Sequence, residues 1–261
     1  MDELTSALPR RIMTLFLLVD SSGSMTASGN IAKVNRAIEE MIPLLSDISD
    51  ENEQAEIRLA VLTFDTDVNW VTKDENGNPG PSCVYDFVWN DVEASGLTSL
   101  GAAFTELESK LSRKQFMASA TGALAPVIIL LSDGVPTDNY KGPLEKLNHN
   151  NWFKIASKIA IAVDGADQDI LAEFTRNSEA VLECDNRTDL KKLMVNLAVV
   201  SSKMQSRSVG VDNLMDKPGD TLQNVSDIGN TGTNMIIGEL KKDLLTPSPV
   251  PVQPADDNDD W

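Results

Sequence analysis

The chain has 261 residues and a formal net charge of −18, with 22 Lys and Arg residues against 40 Asp and Glu residues. This acidity argues against nucleic acid as a ligand, because phosphate binding requires a basic face. It equally disfavours an anionic membrane surface, and no apolar run reaches the length of a membrane span. We therefore expect a soluble protein that prefers cations, or partners bridged by a cation.

Cysteine usage and the N-terminal segment point to a compartment. Cys83 and Cys184 are far apart in the sequence, and MDELTSALPRR contains no apolar segment of signal-peptide length. We therefore expect a cytoplasmic protein whose thiols are reduced. His149 is the single histidine, so a catalytic histidine or a zinc site would depend on that one residue.

Strand and helix patterns alternate from residue 14 to about residue 207. Short apolar runs rich in Val, Ile and Leu recur at Leu15–Val19, Ile57–Phe64, Val127–Leu131, Ile159–Val163 and Ala180–Glu183. Such unbroken runs are typical of strands that are buried on both faces of a parallel sheet. We predict an α/β fold with a doubly wound, mostly parallel sheet of six strands and one antiparallel edge strand or hairpin.

Helical spacing fills the gaps between these runs. The first helix carries an apolar stripe from Ile31 to Leu45, and Pro43 should kink or end it early. Further helices are predicted near residues 99–115, 167–177 and 188–206, with a short one after Pro143.

Between Val68 and Trp89 the pattern changes. Two β-rich runs, Val68–Lys73 and Val84–Trp89, flank Asn76-Gly77, which is a strong hairpin-turn signal. We predict an antiparallel edge hairpin across which Trp70 and Trp89 pack. If these tryptophans are exposed, they would instead anchor a partner.

The composition changes again after Arg207. Residues 209–261 hold ten acids against three lysines, four prolines stand between 247 and 254, and the last residues are DDNDDW. Apart from a brief amphipathic stretch around Met235–Leu245, no core pattern is present. We predict an N-terminal extension (1–10), one domain (11–207) and a disordered acidic tail (208–261).

Carboxylate and hydroxyl side chains follow the predicted strands. Asp20, Ser22 and Ser24 lie in LFLLVDSSGSM, Thr98 lies in GLTSLG, and Asp133 follows VIILLS. In a doubly wound sheet, ligands bind beyond the carboxyl ends of the strands where the strand order reverses. Two carboxylates and three hydroxyls are hard oxygens suited to Mg²⁺ or Mn²⁺. Hydroxyls are weak donors, so the ion would keep a position open for a partner's Glu or Asp.

Simpler structural roles stand beside this interpretation. Asp20 could cap the following helix, and the Ser-Gly-Ser segment could be an ordinary turn. Asp138 is better explained as a helix N-cap than as an outer ligand of the ion. Asp65 and Asp67 fit a solvated turn better than the rim of a binding face.

The five side chains resemble the metal-ion-dependent adhesion site of von Willebrand factor A domains. That site combines Asp-x-Ser-x-Ser, a distant Thr, and a distant Asp followed by Gly, and Asp20, Ser22, Ser24, Thr98 and Asp133 match it in order. The resemblance covers roughly residues 11–207. It implies a Rossmann-like fold and a Mg²⁺-dependent site that binds an acidic residue of a protein partner.

Other segments narrow the resemblance. LSDGVPTD, GLTSLGAAF, VDGAD and NLAVVSSKMQSRS are similar to TerY/YegL-type intracellular bacterial proteins, which accompany tellurium-resistance and related stress-response or defence genes. This resemblance implies association with a Ser/Thr protein kinase and a metal-dependent Ser/Thr phosphatase.

These observations predict a cytoplasmic scaffold or adaptor rather than an enzyme. An alternative is an adaptor for a ring-shaped AAA+ ATPase of the MoxR type, a role of other intracellular members of the wider family. A metal-dependent hydrolase is a further alternative. Hydrolases with related sheets place an acid two residues after a nucleophilic aspartate, and Ser22 in that position cannot act as the general acid.

Overall fold

The computed structural model describes residues 10–133, 135–163, 166–184 and 222–245. These residues contain one sheet with the strands β1 (Arg11–Asp20), β2 (Ala55–Phe64), β3 (Val68–Trp70), β4 (Ser82–Cys83), β5 (Val127–Ser132), β6 (Ser157–Val163) and β7 (Val181–Cys184). The α-helices are α1 (Asn30–Glu51), α2 (Leu100–Lys110), α3 (Lys141–His149), α4 (Asn151–Ile155), α5 (Gln168–Thr175) and α6 (Leu222–Leu245), and two short 3₁₀ helices span Gly23–Gly29 and Ser178–Ala180.

The strand order is β3-β2-β1-β5-β6-β7, and β4 also pairs with β2. The five strands from β2 to β7 along this order are parallel, whereas β3 and β4 run antiparallel to β2. β2 and β3 lie on one side of β1, and β5, β6 and β7 follow on its other side, so the strand order reverses at β1. The predicted doubly wound, mostly parallel sheet is therefore confirmed, and the described residues contribute seven strands to it rather than the predicted six.

Both faces of the sheet are covered, as the unbroken apolar runs predict. On one face, alternate β1 residues such as Leu15 and Leu17 pack in a cluster with the apolar stripe of α1 and with α6. On the other face, Phe16 and Leu18 pack in a cluster with residues of α2 to α5. Period-2 alternation places neighbouring residues of β1 on opposite faces, so this strand lies at the centre of both cores.

The first helix does not end at Pro43. It continues to Glu51, and Pro43 lies on its exposed side. A proline at that place leaves one helical carbonyl without its donor, but water can satisfy a carbonyl on the solvent side. Beyond it, buried Leu45 and Ser49 hold the last turns, and Ser49 Oγ accepts a hydrogen bond from Ile57 N at 3.0 Å. The prediction of an early end is wrong because tertiary contacts anchor both halves.

The hairpin predicted between Val68 and Trp89 is reduced to a single antiparallel bridge at its turn, Lys73↔Pro79. β3 and β4 each pair with β2, at Phe64↔Val68 and at Arg58↔Cys83, and not with each other. The turn at Asn76-Gly77 is present, with Gly77 N donating to Asp74 O at 2.9 Å. Ten-residue β2 offers an edge long enough for both short strands, and the predicted strand at residues 84–89 is turn and coil.

Trp70 and Trp89 lie on opposite faces of the sheet, so the predicted contact between them is wrong. Trp70 packs edge-on against Phe116 with ring centroids 4.6 Å apart. Trp89 is 8% exposed in the cluster of α1, and its Nε1 donates to Asn35 Oδ1 at 3.3 Å. The chain leaves the sheet edge after β4, which carries Trp89 across to α1.

Residues 222–245, predicted as part of a disordered tail, form α6 and pack on β6. Ile236, Ile237 and Leu240 are buried, and Thr233 Oγ1 accepts a hydrogen bond from Lys158 N at 3.1 Å. The predicted helix at 188–206 and the tail segments 208–221 and 246–261 lie outside the described residues. The boundaries at residues 10 and 207 stay predictions. No helix in the described ranges has the length and apolarity that a bilayer crossing requires.

Candidate metal centre

The candidate ligands lie at the carboxyl ends of β1 and β5. Asp20 is the last residue of β1, and Asp133 directly follows β5. The two strands are paired up to Val19↔Leu131, so their ends meet at the point where the strand order reverses. The fold thereby brings together two carboxylates that are more than a hundred residues apart in the sequence, as predicted from the sheet topology.

A chain of hydrogen bonds joins the serines to Asp133. Ser22 Oγ and Ser24 Oγ are 3.0 Å apart, and Ser24 Oγ donates to Asp133 Oδ1 at 2.8 Å. Gly23 between them lies against the next loop, where its N donates to Gly96 O at 3.1 Å. Three side-chain oxygens from two loops therefore lie in a row at the rim of the sheet.

Asp20 is fully buried beside this row. Its Oδ1 accepts from Ser22 N at 2.9 Å, and its Oδ2 accepts from Ser132 Oγ at 2.6 Å. Burial raises the pKa of Asp20 above its ordinary value, the nearby charge of Asp133 adds to this, and the hydrogen bonds from Ser132 and Ser22 partly offset it. A buried carboxylate near a second one is unfavourable unless a cation compensates.

Thr98 lies in the loop before α2 and is 5% exposed. Its backbone is held by Thr137, because Thr98 N donates to Thr137 Oγ1 at 3.2 Å and Thr98 O accepts from Thr137 N at 2.9 Å. Asp138 adds a second link between the loops, since its carboxylate accepts from Gly101 N and Ala102 N, each at 3.0 Å. Asp138 is not the N-cap that the sequence favours, because Tyr140 holds that place before the following helix. The Asp138 carboxylate instead satisfies the first backbone N–H groups of α2 from another loop.

The hydrogen bonding of the Thr98 hydroxyl indicates whether these residues fit a cation. Within the described part of the chain, this buried hydroxyl makes no hydrogen bond. Buried polar groups are nearly always paired, so a hydroxyl without a protein partner is suited to a ligand. The described residues contain no group of three or more His, Cys, Asp and Glu side chains that could hold a metal. A site here would therefore use hydroxyl oxygens beside its two carboxylates, which suits Mg²⁺ or Mn²⁺; metal binding stays a prediction.

A third loop supports the loop of Thr98. Asp65 Oδ1 accepts from Asp67 N at 2.8 Å in the predicted turn, and Thr66 Oγ1 accepts from Leu97 N at 3.1 Å. Gly96 has a φ of +71°, and a Cβ there would collide with Thr66 Oγ1. Only glycine allows this close approach.

Sequence reasoning missed Ser132, Thr66 and Thr137 as supports of the site. Ser132 directly precedes Asp133, so a hydroxyl at a strand end was the available signal. Thr66 and Thr137 act through contacts between loops that are far apart in sequence. No pattern in the local sequence predicts such contacts.

Two aliphatic side chains are exposed next to the candidate ligands. Leu97 precedes Thr98 and is 57% exposed, and Val135 follows Asp133 by two residues and is 62% exposed. Asp67, on the loop that contacts Leu97, is also exposed. The surface around the site therefore combines apolar side chains with negative charge.

Solved structures of low sequence identity share this fold. The pilus adhesin SpaC from Lactobacillus rhamnosus GG has a TM-score of 0.57 at 14% identity, over 75% of this chain and 31% of SpaC. Proximal thread matrix protein 1 from the mussel byssus, with a zinc-occupied metal-ion-dependent adhesion site, has a TM-score of 0.52 at 16% identity, over 73% and 48% of the two chains. Manganese-loaded TRAP protein from Plasmodium vivax has a TM-score of 0.50 at 19% identity, over 72% and 74%.

The chain spans about half the length of the mussel protein, and at these identities the likeness concerns the fold. No curated protein matches the chain. A family model described as von Willebrand factor type A domain matches residues 14–196, which is most of the chain and includes all five candidate ligands. The chain therefore belongs to the von Willebrand factor type A domain family.

Proposed function

We propose that the chain is a protein-interaction module that depends on a divalent cation. The observation that carries the proposal is the row of oxygens from Ser22 through Ser24 to Asp133, beside the buried Asp20 carboxylate. The buried hydroxyl of Thr98, which has no hydrogen-bond partner among the described residues, supports it. A bound cation would balance the two carboxylates and accept a third one from a partner.

Mg²⁺ or Mn²⁺ is the proposed ion. All five ligands are oxygens, which hard cations prefer. Structures of the same fold support a divalent ion, with zinc in the mussel protein and manganese in the Plasmodium protein.

Calorimetric titration with Mg²⁺ and Mn²⁺ tests the site. We expect saturable binding to the intact chain and a loss of at least about tenfold in affinity for Asp20→Asn or Ser24→Ala, since each removes an oxygen donor. Asp67→Asn is the matched control, because it removes a neighbouring exposed carboxylate that we do not assign to the ion. The proposal fails if neither ion binds, or if Asp20→Asn and Asp67→Asn behave alike.

We propose a partner segment that combines one carboxylate with aliphatic neighbours. Exposed Leu97 and Val135 flank the candidate ligands, and the fully buried core of a protein interface is more apolar than its rim. A basic residue beside them would be attracted by exposed Asp67. Leu97→Ser and Val135→Ser should weaken partner capture and leave cation affinity unchanged, whereas weakening of both would contradict this division of roles.

The cellular setting is proposed from the sequence resemblance. We infer a cytoplasmic role in a bacterial stress-response or defence system linked to tellurium resistance, with a Ser/Thr kinase and a metal-dependent Ser/Thr phosphatase as partners. The two cysteines, which are not joined in a disulfide, are compatible with a reducing compartment. Co-purification with the wild type and with Asp20→Ala separates these partners from a ring-shaped AAA+ ATPase.

We further propose that the chain is not an enzyme. Ser22 occupies the place of the general acid in related hydrolases, and it donates no proton at ordinary pH. Turnover of several phosphoesters in the presence of Mg²⁺, lost in Asp20→Asn, would overturn this statement.

A further inference from the structure

A small cavity lies at the amino end of β6, at the opposite edge of the sheet from the metal centre. Its volume is about 160 Å³, and its lining residues are Asn148, Phe153, Lys154, Lys158, Arg176 and Asn230. Three of these side chains are cations, two are amides, and none is a carboxylate. In a chain with a net charge of −18, such a concentration of positive charge stands out.

Lys158 is the buried one among the three cationic residues, with 4% of the residue exposed. Its Nζ donates to Phe153 O at 3.0 Å and to Ala156 O at 3.1 Å, and it lies 4.9 Å from the centre of the Phe153 ring. An ammonium group has three N–H donors. Two are used by the carbonyls, so one remains for a ligand in the cavity.

Arg176 follows α5 and brings a second positive charge to the cavity. Its φ of +56° is left-handed, which turns the chain sharply after the helix. Among the described residues, no carboxylate lies within ion-pair distance of Lys154, Lys158 or Arg176. The like charges are therefore not balanced by an acidic side chain in those ranges.

The pKa of Lys158 reflects this imbalance. Burial lowers it, and the charge of Arg176 lowers it further, to about 8. An anion in the cavity would act in the opposite direction on the pKa of Lys158.

We propose that this cavity binds a phosphate-class oxyanion, either inorganic phosphate or the phosphate group of a small monoester. Lys158 and Arg176 supply charge-assisted donors, which are the strong ones for phosphate oxygens. Asn148 and Asn230 supply amide donors at the rim. Since Arg176 follows α5, Lys158 lies on β6 and Asn230 lies on α6, the anion would join three elements at one point.

The test is binding of inorganic phosphate and of phosphoserine to the full chain, measured by calorimetry at constant ionic strength in EDTA. EDTA keeps the metal centre out of the measurement, so the outcome is independent of the proposed function. We expect saturable binding of at least one of the two, whereas chloride at equal ionic strength has no effect. Tighter binding of phosphate indicates the free ion, and tighter binding of phosphoserine indicates a monoester.

Two variants locate the binding site. Lys158→Met and Arg176→Asn should each weaken binding at least tenfold, because each removes one charged donor. Lys114→Gln, which neutralises an exposed lysine elsewhere, should bind as the wild type does. Arg176 is exposed and asparagine tolerates left-handed backbone, so Arg176→Asn decides the question if Lys158→Met does not fold. Absence of saturable binding, or equal binding by Arg176→Asn and Lys114→Gln, overturns the proposal.

Discussion

Lys158 is a single residue that contacts both α4 and α6. Its ammonium group donates to the carbonyls of Phe153 and Ala156 at the end of α4, and its backbone N donates to Thr233 of α6. The carbonyls at a helix C-terminus favour a cation, yet burial of the charge is unfavourable. The unfavourable burial is the main cause of the lowered pKa of Lys158. The positive charge of Arg176, which follows α5, lowers this pKa further.

The free energy of unfolding should increase with pH above pH 8 because of Lys158. Its pKa is about 8 in the folded chain and 10.5 ordinarily, so between these values the unfolded chain holds a proton that the folded chain has released. Stability therefore rises with pH in this window, by about 2 kcal/mol between pH 8 and 9.5. Urea unfolding of the wild type and of Lys158→Met at both pH values measures it.

Comparing the wild type with Lys158→Met isolates the contribution of Lys158 to the pH dependence of stability, because titration of other groups contributes equally to both proteins. The measurements should be made without phosphate, which would hold the lysine in its charged form if the cavity binds it. An equal change in stability with pH for the wild type and Lys158→Met would contradict this account.

At the scale of elements, α6 docks mainly through small and apolar residues, with one exposed ion pair from Lys241 Nζ to Glu179 Oε2 at 3.0 Å. Gly229 and Gly232 lie so close to Lys154 O and Ser157 Oγ that a Cβ on either would collide. Ile236 and Leu240 then enter the cluster of α1 and β1. Sequence periodicity detected only the second half of this helix, because glycine, asparagine and threonine in the first half are typical of loops.

Ile236→Ala tests whether α6 is part of the folded core. Ile236 is 0% exposed, so we expect a loss of about 2–5 kcal/mol in the free energy of unfolding. Its neighbour Met235 is 52% exposed, and Met235→Ala should change stability by less than about 0.5 kcal/mol. Urea unfolding monitored by circular dichroism gives both values. Equal effects of the two substitutions would show that α6 does not pack as described.

The features that were predicted correctly are encoded in the local sequence or follow from sheet topology, whereas those that were missed depend on contacts between segments far apart in the sequence. The runs of β1, β5 and β6 are buried on both faces, so their apolar sequences alone indicate strands. The adjacency of Asp20 and Asp133 followed from a general rule of sheet topology. By contrast, Asp138 capping α2 depends on how separate loops meet, which local patterns do not encode.

For the molecule as a whole, the proposed binding of a cation would be linked to folding stability. A ligand that binds only the folded state adds about 2.7 kcal/mol to the free energy of unfolding at a hundredfold excess over its dissociation constant. We expect this increase with Mg²⁺ or Mn²⁺ for the wild type and at most about 1.4 kcal/mol for Asp20→Asn at the same ion concentration, because its affinity is at least tenfold lower. Thermal and urea unfolding measure it.

The control for this experiment is monovalent salt at the same ionic strength. A net charge of −18 destabilises a compact chain by self-repulsion, and any salt screens that repulsion. Only an excess of the divalent effect over the sodium effect counts as binding. Identical curves for the wild type and Asp20→Asn would exclude linkage through this site.

Backbone hydrogen bonds tie the loops around the candidate metal centre to one another, and this has a kinetic consequence. Ser95 N donates to Ser21 O at 2.8 Å, Gly23 N to Gly96 O, and Thr137 N to Thr98 O. The geometry for an incoming ion is thus preorganised when the chain folds, and little rearrangement is left for the moment of entry. The speed of uptake should then depend on how readily each ion sheds its hydration shell, so reluctantly dehydrating Mg²⁺ would enter more slowly than Mn²⁺.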